Sequence, residues 1–166
     1  DANWEQAVAG AVFGILLNNG QNCIAGSRLL VEKSIYADFT AAVADKFKSL
    51  RIGDPMDPSA QLGSIVSEEQ FSTVMGYIEA GRAEGATVAA GGKVPDDKPH
   101  PDGWYIEPTL FTDVRNDMKI AQEEIFGPVL VAIPFEGEEE AVAIANDTIY
   151  GLGSGVFTRD AAKAHR

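Results

Sequence analysis

The stretch LLVEKSIYADFTAAVADKFKSL, residues 29–50, sets an apolar triplet directly before a helical pattern. Leu29, Leu30 and Val31 form a short run suited to a buried strand. Ser34 is then expected to cap a helix whose inward face carries Ile35, Phe39, Val43, Phe47 and Leu50 at spacings of three or four. A strand that passes straight into an amphipathic helix is the unit from which α/β sheets are built.

The alternation continues in both directions. Upstream, Trp4, Ala7, Val8, Ala11, Val12, Ile15 and Leu16 recur at helical spacing, and Gly10, Phe13 and Gly14 make the segment apolar nearly all round. A buried helix ending near Asn18, Asn19 and Gly20 is expected there. Downstream, Gly53, Asp54, Pro55, Asp57 and Pro58 supply turn chemistry. Ser67, Glu68, Glu69 and Gln70 spell a capping box, in which the Ser67 hydroxyl reaches an amide three residues on and Gln70 reaches back. Phe71, Val74, Met75 and Ile78 continue that helix, which Gly85 stops.

Thr87 to Ala90 is expected to be a strand, followed by a polar surface loop from Gly91 to Gly103. Trp104 to Phe111 is strand-like but interrupted by Pro108, whereas Val129 to Phe135 is a cleaner buried strand. Glu138, Glu139 and Glu140 open a helix, where their charge opposes the positive end of its dipole. Val156 to Thr158 is expected to form a last strand, and Asp160 to Arg166 to begin a helix. The expected fold is therefore α/β: a three-layer, parallel-rich sheet flanked by helices, with the helix before Cys23 packed beneath the sheet.

At 166 residues, 45% apolar and 23% charged, the chain has the composition of one globular domain rather than a disordered or fibrous protein. Lys and Arg number 13 against 25 Asp and Glu, a net charge of −12. Clustered cations are absent, which argues against nucleic acid and anionic membrane partners. The longest apolar run, Ala7 to Leu17, falls short of the ~20 residues that a spanning helix requires. No basic region precedes it and the first residue is Asp1, so no signal peptide is expected, and the sequence is expected to be an excised piece. A single cysteine in an acidic chain fits a reducing, cytoplasmic compartment.

That cysteine lies in Gly20-Gln21-Asn22-Cys23-Ile24-Ala25-Gly26-Ser27-Arg28, between the upstream helix and the first strand. Small neighbours leave room for a carbonyl to approach the sulfur, and the glycines let the backbone turn an amide toward the same point. From the residues alone, Cys23 is either a nucleophile or an inert small hydrophobe. His100 and His165 are too scattered to pair with it in a hydrolase or to give zinc-type spacing, so no metal site is expected.

The nonapeptide resembles the active-site cysteine segment of the NAD(P)-dependent aldehyde dehydrogenase superfamily. Glu123-Glu124-Ile125-Phe126-Gly127-Pro128-Val129 is similar to that family's Glu-Ile-Phe-Gly-Pro segment. Asn146-Asp147-Thr148-Ile149-Tyr150-Gly151-Leu152 resembles its Asn-x-x-x-Tyr-Gly-Leu segment. Three such segments in order are highly specific, and the resemblance covers essentially the whole chain.

The resemblance implies oxidation of a small-molecule aldehyde to a carboxylic acid with NAD or NADP, through a thiohemiacetal and a thioester on Cys23. It implies that Glu124 accepts hydrogen bonds from the nicotinamide ribose, that Phe126 packs near the nicotinamide ring, and that Gln70 lies near the ribose. The capping box explains Gln70 equally well. It further implies that residues 1–166 are a fragment, a single catalytic domain without the cofactor-binding domain and the C-terminal oligomerisation segment. The general-base glutamate and the asparagine sharing the oxyanion would precede Asp1. The intact protein is then expected to be a homo-oligomer, and the isolated piece to be impaired above all in deacylation. The alternative is a non-catalytic folded module of the same fold.

Overall fold

The computed structural model describes residues 1–165. Strands β1 (Arg28–Glu32), β2 (Thr87–Ala90), β3 (Thr109–Thr112) and β4 (Val129–Phe135) form one sheet in the order β1-β4-β3-β2. β4 is central and runs parallel to both neighbours, with Arg28 opposite Val131 and Thr109 opposite Val129. β2 is antiparallel to β3, with an irregularity between Val88 and Ala90.

The helices are α1 (Trp4–Leu16), α2 (Tyr36–Lys48), α3 (Glu68–Ala83), α4 (Lys119–Gln122), α5 (Glu138–Asn146) and α6 (Ala161–Ala164). Because side chains on a strand alternate between faces, the uniformly apolar β4 feeds two cores. Leu130 and Ala132 pack with Val12 and Ile15 of α1 and Val43 and Phe47 of α2. Val129, Val131 and Ile133 pack on the other face with Val74 and Ile78 of α3 and Ile120 of α4. These are the expected three layers, and α1 lies on the sheet as anticipated.

Local corrections have physical reasons. α1 buries one face only: Ala7, Ala11, Val12, Ile15 and Leu16 are buried, whereas Phe13 is 66% exposed on the side away from α2 and the sheet. Ser34 does not cap α2, because Lys33–Ile35 first make a 3-10 turn in which the Glu32 carboxylate accepts from the Ser34 amide. Of the 104–111 run only residues 109–111 join the sheet, in a strand that extends to Thr112. Pro108 has no amide to offer a ladder, and the chain before it makes isolated bonds instead, such as Ile65 N–H to the Trp104 carbonyl at 2.7 Å. Val156 to Thr158 form no strand and are largely exposed, since strand-like residues alone do not place a segment in a sheet. Asp160 caps α6 by accepting from Ala162 and Lys163; Arg166, the end of the helix expected there, lies outside the described residues.

Candidate active site

The segment around Cys23 is fastened on both sides. After α1 the chain makes a 3-10 turn, Leu17–Gly20, in which Asn18 and Asn19 adopt left-handed φ of 53° and 57°, a conformation asparagine tolerates. Asn18 Nδ2 donates to the Gln21 carbonyl at 2.8 Å. The Asn19 amide bonds Gly63 N–H and the Ser64 carbonyl, and Gln21 Oε1 accepts from Val66 N–H at 3.0 Å. Beyond Cys23, Gly26 N–H donates to Gly14 and the Ser27 carbonyl accepts from Val131. The thiol itself is exposed, its Sγ 3.8 Å from Asn22 Oδ1. Asn22 Oδ1 also takes the Ile24 amide, whereas the Cys23 amide has no acceptor among the described residues.

In the second segment the two adjacent glutamates differ in their commitments. Glu123 Oε2 accepts from the Tyr77 hydroxyl at 2.8 Å and pairs with Lys119 at 3.8 Å. Burial, and then this carboxylate, push the Tyr77 phenol up to about 12. Glu124 is exposed, its amide donates to the Tyr150 hydroxyl at 3.1 Å, and its carboxylate has no hydrogen-bond or ion-pair partner among the described residues. Ile125 is buried against α3 and anchors the strap.

Phe126 holds a φ of 56°, a region costing roughly 1–3 kcal/mol for a residue other than glycine, and leaves its ring 37% exposed. Ser67 caps α3 by accepting from Gln70 N–H, but the reciprocal half of the capping box is not made. The Gln70 side chain turns instead to this strap, donating from Nε2 to the carbonyls of Ile125 and Phe126, each at 3.0 Å.

Glycine makes the junction between the first two segments. Gly20 has φ +71° and sits so close to Gly127 that an added Cβ would stand 2.0 Å from the Gly127 carbonyl oxygen. Gly127 in turn leaves no room for a Cβ beside Val74 of α3. Thus the turn three residues before Cys23 is seated on the turn three residues after Glu124.

The third segment is tied in by Arg28. Its Nη2 donates to Asn116 Oδ1 at 2.7 Å and to the Ile144 carbonyl at 2.6 Å, and Nη1 reaches the Ala145 carbonyl at 3.5 Å. A cation on the last carbonyls of α5 also opposes the negative end of its dipole. Burial lowers the pKa of this guanidinium while Asp147 raises it. Asn116 Nδ2 and Gln122 Nε2 continue the network to Asp147. Arg28 closes the cysteine segment and Tyr150 belongs to the third segment, but neither motif revealed that Arg28 would hold the end of α5 or that the Tyr150 hydroxyl would take the Glu124 amide.

His100 lies in the 91–103 loop accepting from Asp102 N–H, and neither His100 nor His165 bonds Cys23. Among the described residues no group of three or more His, Cys, Asp or Glu could hold a metal ion, and no helix is long and apolar enough to cross a membrane.

Comparison with known proteins agrees with the family resemblance. A model of the aldehyde dehydrogenase family matches residues 1–166. Betaine aldehyde dehydrogenase of Brucella anthropi is 47% identical over 166 residues, covering all of this chain and 34% of that protein. The chain thus spans about a third of the length of the curated relatives it matches. Betaine aldehyde dehydrogenase of Staphylococcus aureus, solved with NAD+, superimposes with a TM-score of 0.97 at 43% identity, over 99% of this chain and 33% of that one. An aldehyde dehydrogenase of Bacillus cereus, solved as its NAD+ complex, gives a TM-score of 0.94 at 44% identity over the same shares.

Proposed function

Because the chain belongs to the aldehyde dehydrogenase family, we propose that residues 1–166 form the part of its catalytic domain that carries the nucleophile and the nicotinamide-ribose contacts. The full-length enzyme oxidises a small-molecule aldehyde to the carboxylic acid with NAD or NADP. The observation that supports this best is an exposed thiol on a fastened loop whose neighbouring amide is uncommitted.

The Cys23 thiolate adds to the aldehyde carbon, forming a C–S bond and a tetrahedral thiohemiacetal oxyanion. The free Cys23 amide is available to donate to that oxygen, and such a donor is worth most when charge develops beside it. Asn22 Oδ1 holds the thiol proton side of the sulfur before attack. Bound nicotinamide supplies the acceptor for the hydride that leaves the former aldehyde carbon. Cys23 then retains the acyl group as a thioester until water releases the acid.

The residues present fit a nicotinamide riboside. Glu124 offers two acceptor oxygens that no side chain occupies, suited to a pair of vicinal hydroxyls, while Glu123 is spent on Tyr77 and Lys119. The exposed Phe126 ring offers a flat apolar surface beside it. The same proposal makes the enzyme a cytoplasmic homo-oligomer.

The test is acyl trapping in the full-length protein. Incubation with an activated ester should place one acyl group on Cys23, read by peptide mass spectrometry, and Cys23→Ala should abolish both the adduct and aldehyde-dependent cofactor reduction. Undiminished turnover by Cys23→Ala would overturn the assignment.

A further inference from the structure

Leu62 is buried in the core on the α1 face of the sheet and Ile65 in the core on the α3 face, so the short segment between them is anchored in both. Ile65 N–H also donates to the Trp104 carbonyl at 2.7 Å. Residues 63–66 therefore form a fixed rail, and three of its backbone groups bond the loop that carries Cys23. Gly63 N–H donates to Asn19 Oδ1 at 3.1 Å, and Asn19 Nδ2 donates to the Ser64 carbonyl at 3.2 Å. Val66 N–H donates to Gln21 Oε1 at 3.0 Å. Asn19 is also the middle of three consecutive left-handed residues, Asn18, Asn19 and Gly20, with φ of 53°, 57° and 71°. A run of this kind is disfavoured for side chains other than glycine and persists where partners hold it. The two-point contact of the Asn19 carboxamide on successive backbone groups of the rail is that hold.

We propose that Asn19 is a positioning residue for acyl transfer: its carboxamide, clamped on the 63–64 backbone, fixes the turn that aims the Cys23 amide at the oxyanion formed beside the sulfur, and it does not itself touch the aldehyde. The proposal rests on the reading of Cys23 as nucleophile with its own amide as oxyanion donor. Both ends of the Asn19 carboxamide are engaged, which keeps the side chain on the rail. On the far side of Cys23 the chain is caught again where Gly26 N–H donates to the Gly14 carbonyl at 2.9 Å. The Cys23 amide, which has no acceptor among the described residues, lies between these two attachments, so its direction follows from where they hold the chain.

Two reactions of Cys23 in the full-length enzyme separate aim from access. Alkylation by iodoacetamide needs only an accessible thiolate. Acylation by p-nitrophenyl acetate forms a C–S bond and an oxyanion before p-nitrophenolate leaves, and so depends on the amide donor. Asn19→Gly accepts the left-handed φ but removes both bonds to the rail. It should slow acylation about tenfold, the scale of one or two lost hydrogen bonds, and change alkylation by less than about twofold. Asn19→Asp keeps the acceptor for Gly63 N–H but sets a carboxylate oxygen against the Ser64 carbonyl, and should slow acylation at least as much. Thermal midpoints are recorded alongside.

A selective loss of acylation in both variants supports the positioning role. Acylation at the wild-type rate in either variant would overturn it, and so would equal changes in acylation and alkylation, which would leave Asn19 a residue of general stability. If Cys23→Ala is acylated and turns over aldehyde as the wild type does, the assignment of the nucleophile fails and the proposal with it.

Discussion

Two residues with positive φ show what is and is not legible one amino acid at a time. Gly20 at +71° is read from sequence as a turn glycine, but the reason it is glycine is a backbone 107 positions downstream, the Gly127 carbonyl. Only the folded chain discloses that contact. Gly20→Ala meets both a disfavoured φ and a Cβ 2.0 Å from a carbonyl oxygen, neither of which a rotamer change can relieve. The expected cost is about 2 kcal/mol or more, read as a lower denaturant midpoint with unchanged m-value. A midpoint equal to wild type would mean that the two turns separate freely. Phe126 at +56° carries the opposite lesson, for a phenylalanine there gives no local warning of a left-handed backbone. Cys23, Glu124 and Phe126 were legible as motifs, and Gln70, Tyr150 and Arg28 were read in sequence too; what these three hold was not legible, because each acts over a sequence distance that no periodicity spans.

Among the elements, those with strong internal pattern match expectation and those that depend on neighbours do not. β4 follows from its pattern, and so do Phe39, Val43 and Phe47 of α2 and Val74 and Ile78 of α3, whereas Ile35, expected on the inward face of α2, lies exposed in the turn before it. Val156 to Thr158 has strand-like residues but pairs with no strand, and Ser34 has a capping side chain but sits inside a turn that precedes the helix. α5 is the opposite case: none of its residues is fully buried and Ile144 alone packs against the second core, so its placement leans on its ends. Arg28 supplies the C-terminal attachment through the Ile144 and Ala145 carbonyls. Arg28→Leu should cost about 1.5–3 kcal/mol, the range for hydrogen bonds to a charged group. In hydrogen exchange, amides of α5 should lose protection while those of β4 keep theirs. Joint loss in α5 and β4 would show that Arg28 supports the sheet rather than the helix end.

At the scale of the whole molecule, the three-layer arrangement was legible because one uniformly apolar strand requires cover on both faces. How the layers are locked at their rim was not, since that depends on contacts between α3 and the strap after α4. Tyr77 of α3 is such a contact: burial first, then its hydrogen bond to the Glu123 carboxylate, raise its phenol from 10 to about 12. Tyr36, whose hydroxyl donates to the Ala132 carbonyl, is raised in the same sense, with burial the largest cause.

The fold favours the protonated phenol, so the unfolded chain releases this proton first as pH rises. The contribution of Tyr77 is then fully present below pH 10, declines between 10 and about 12, and is lost above. Tyr77→Phe lacks this titration. Denaturant midpoints of wild type and variant should differ by a constant amount up to pH 10 and converge through the next two units. A difference that stays constant across the alkaline range would mean that the Tyr77–Glu123 bond does not govern how α3 grips the strap.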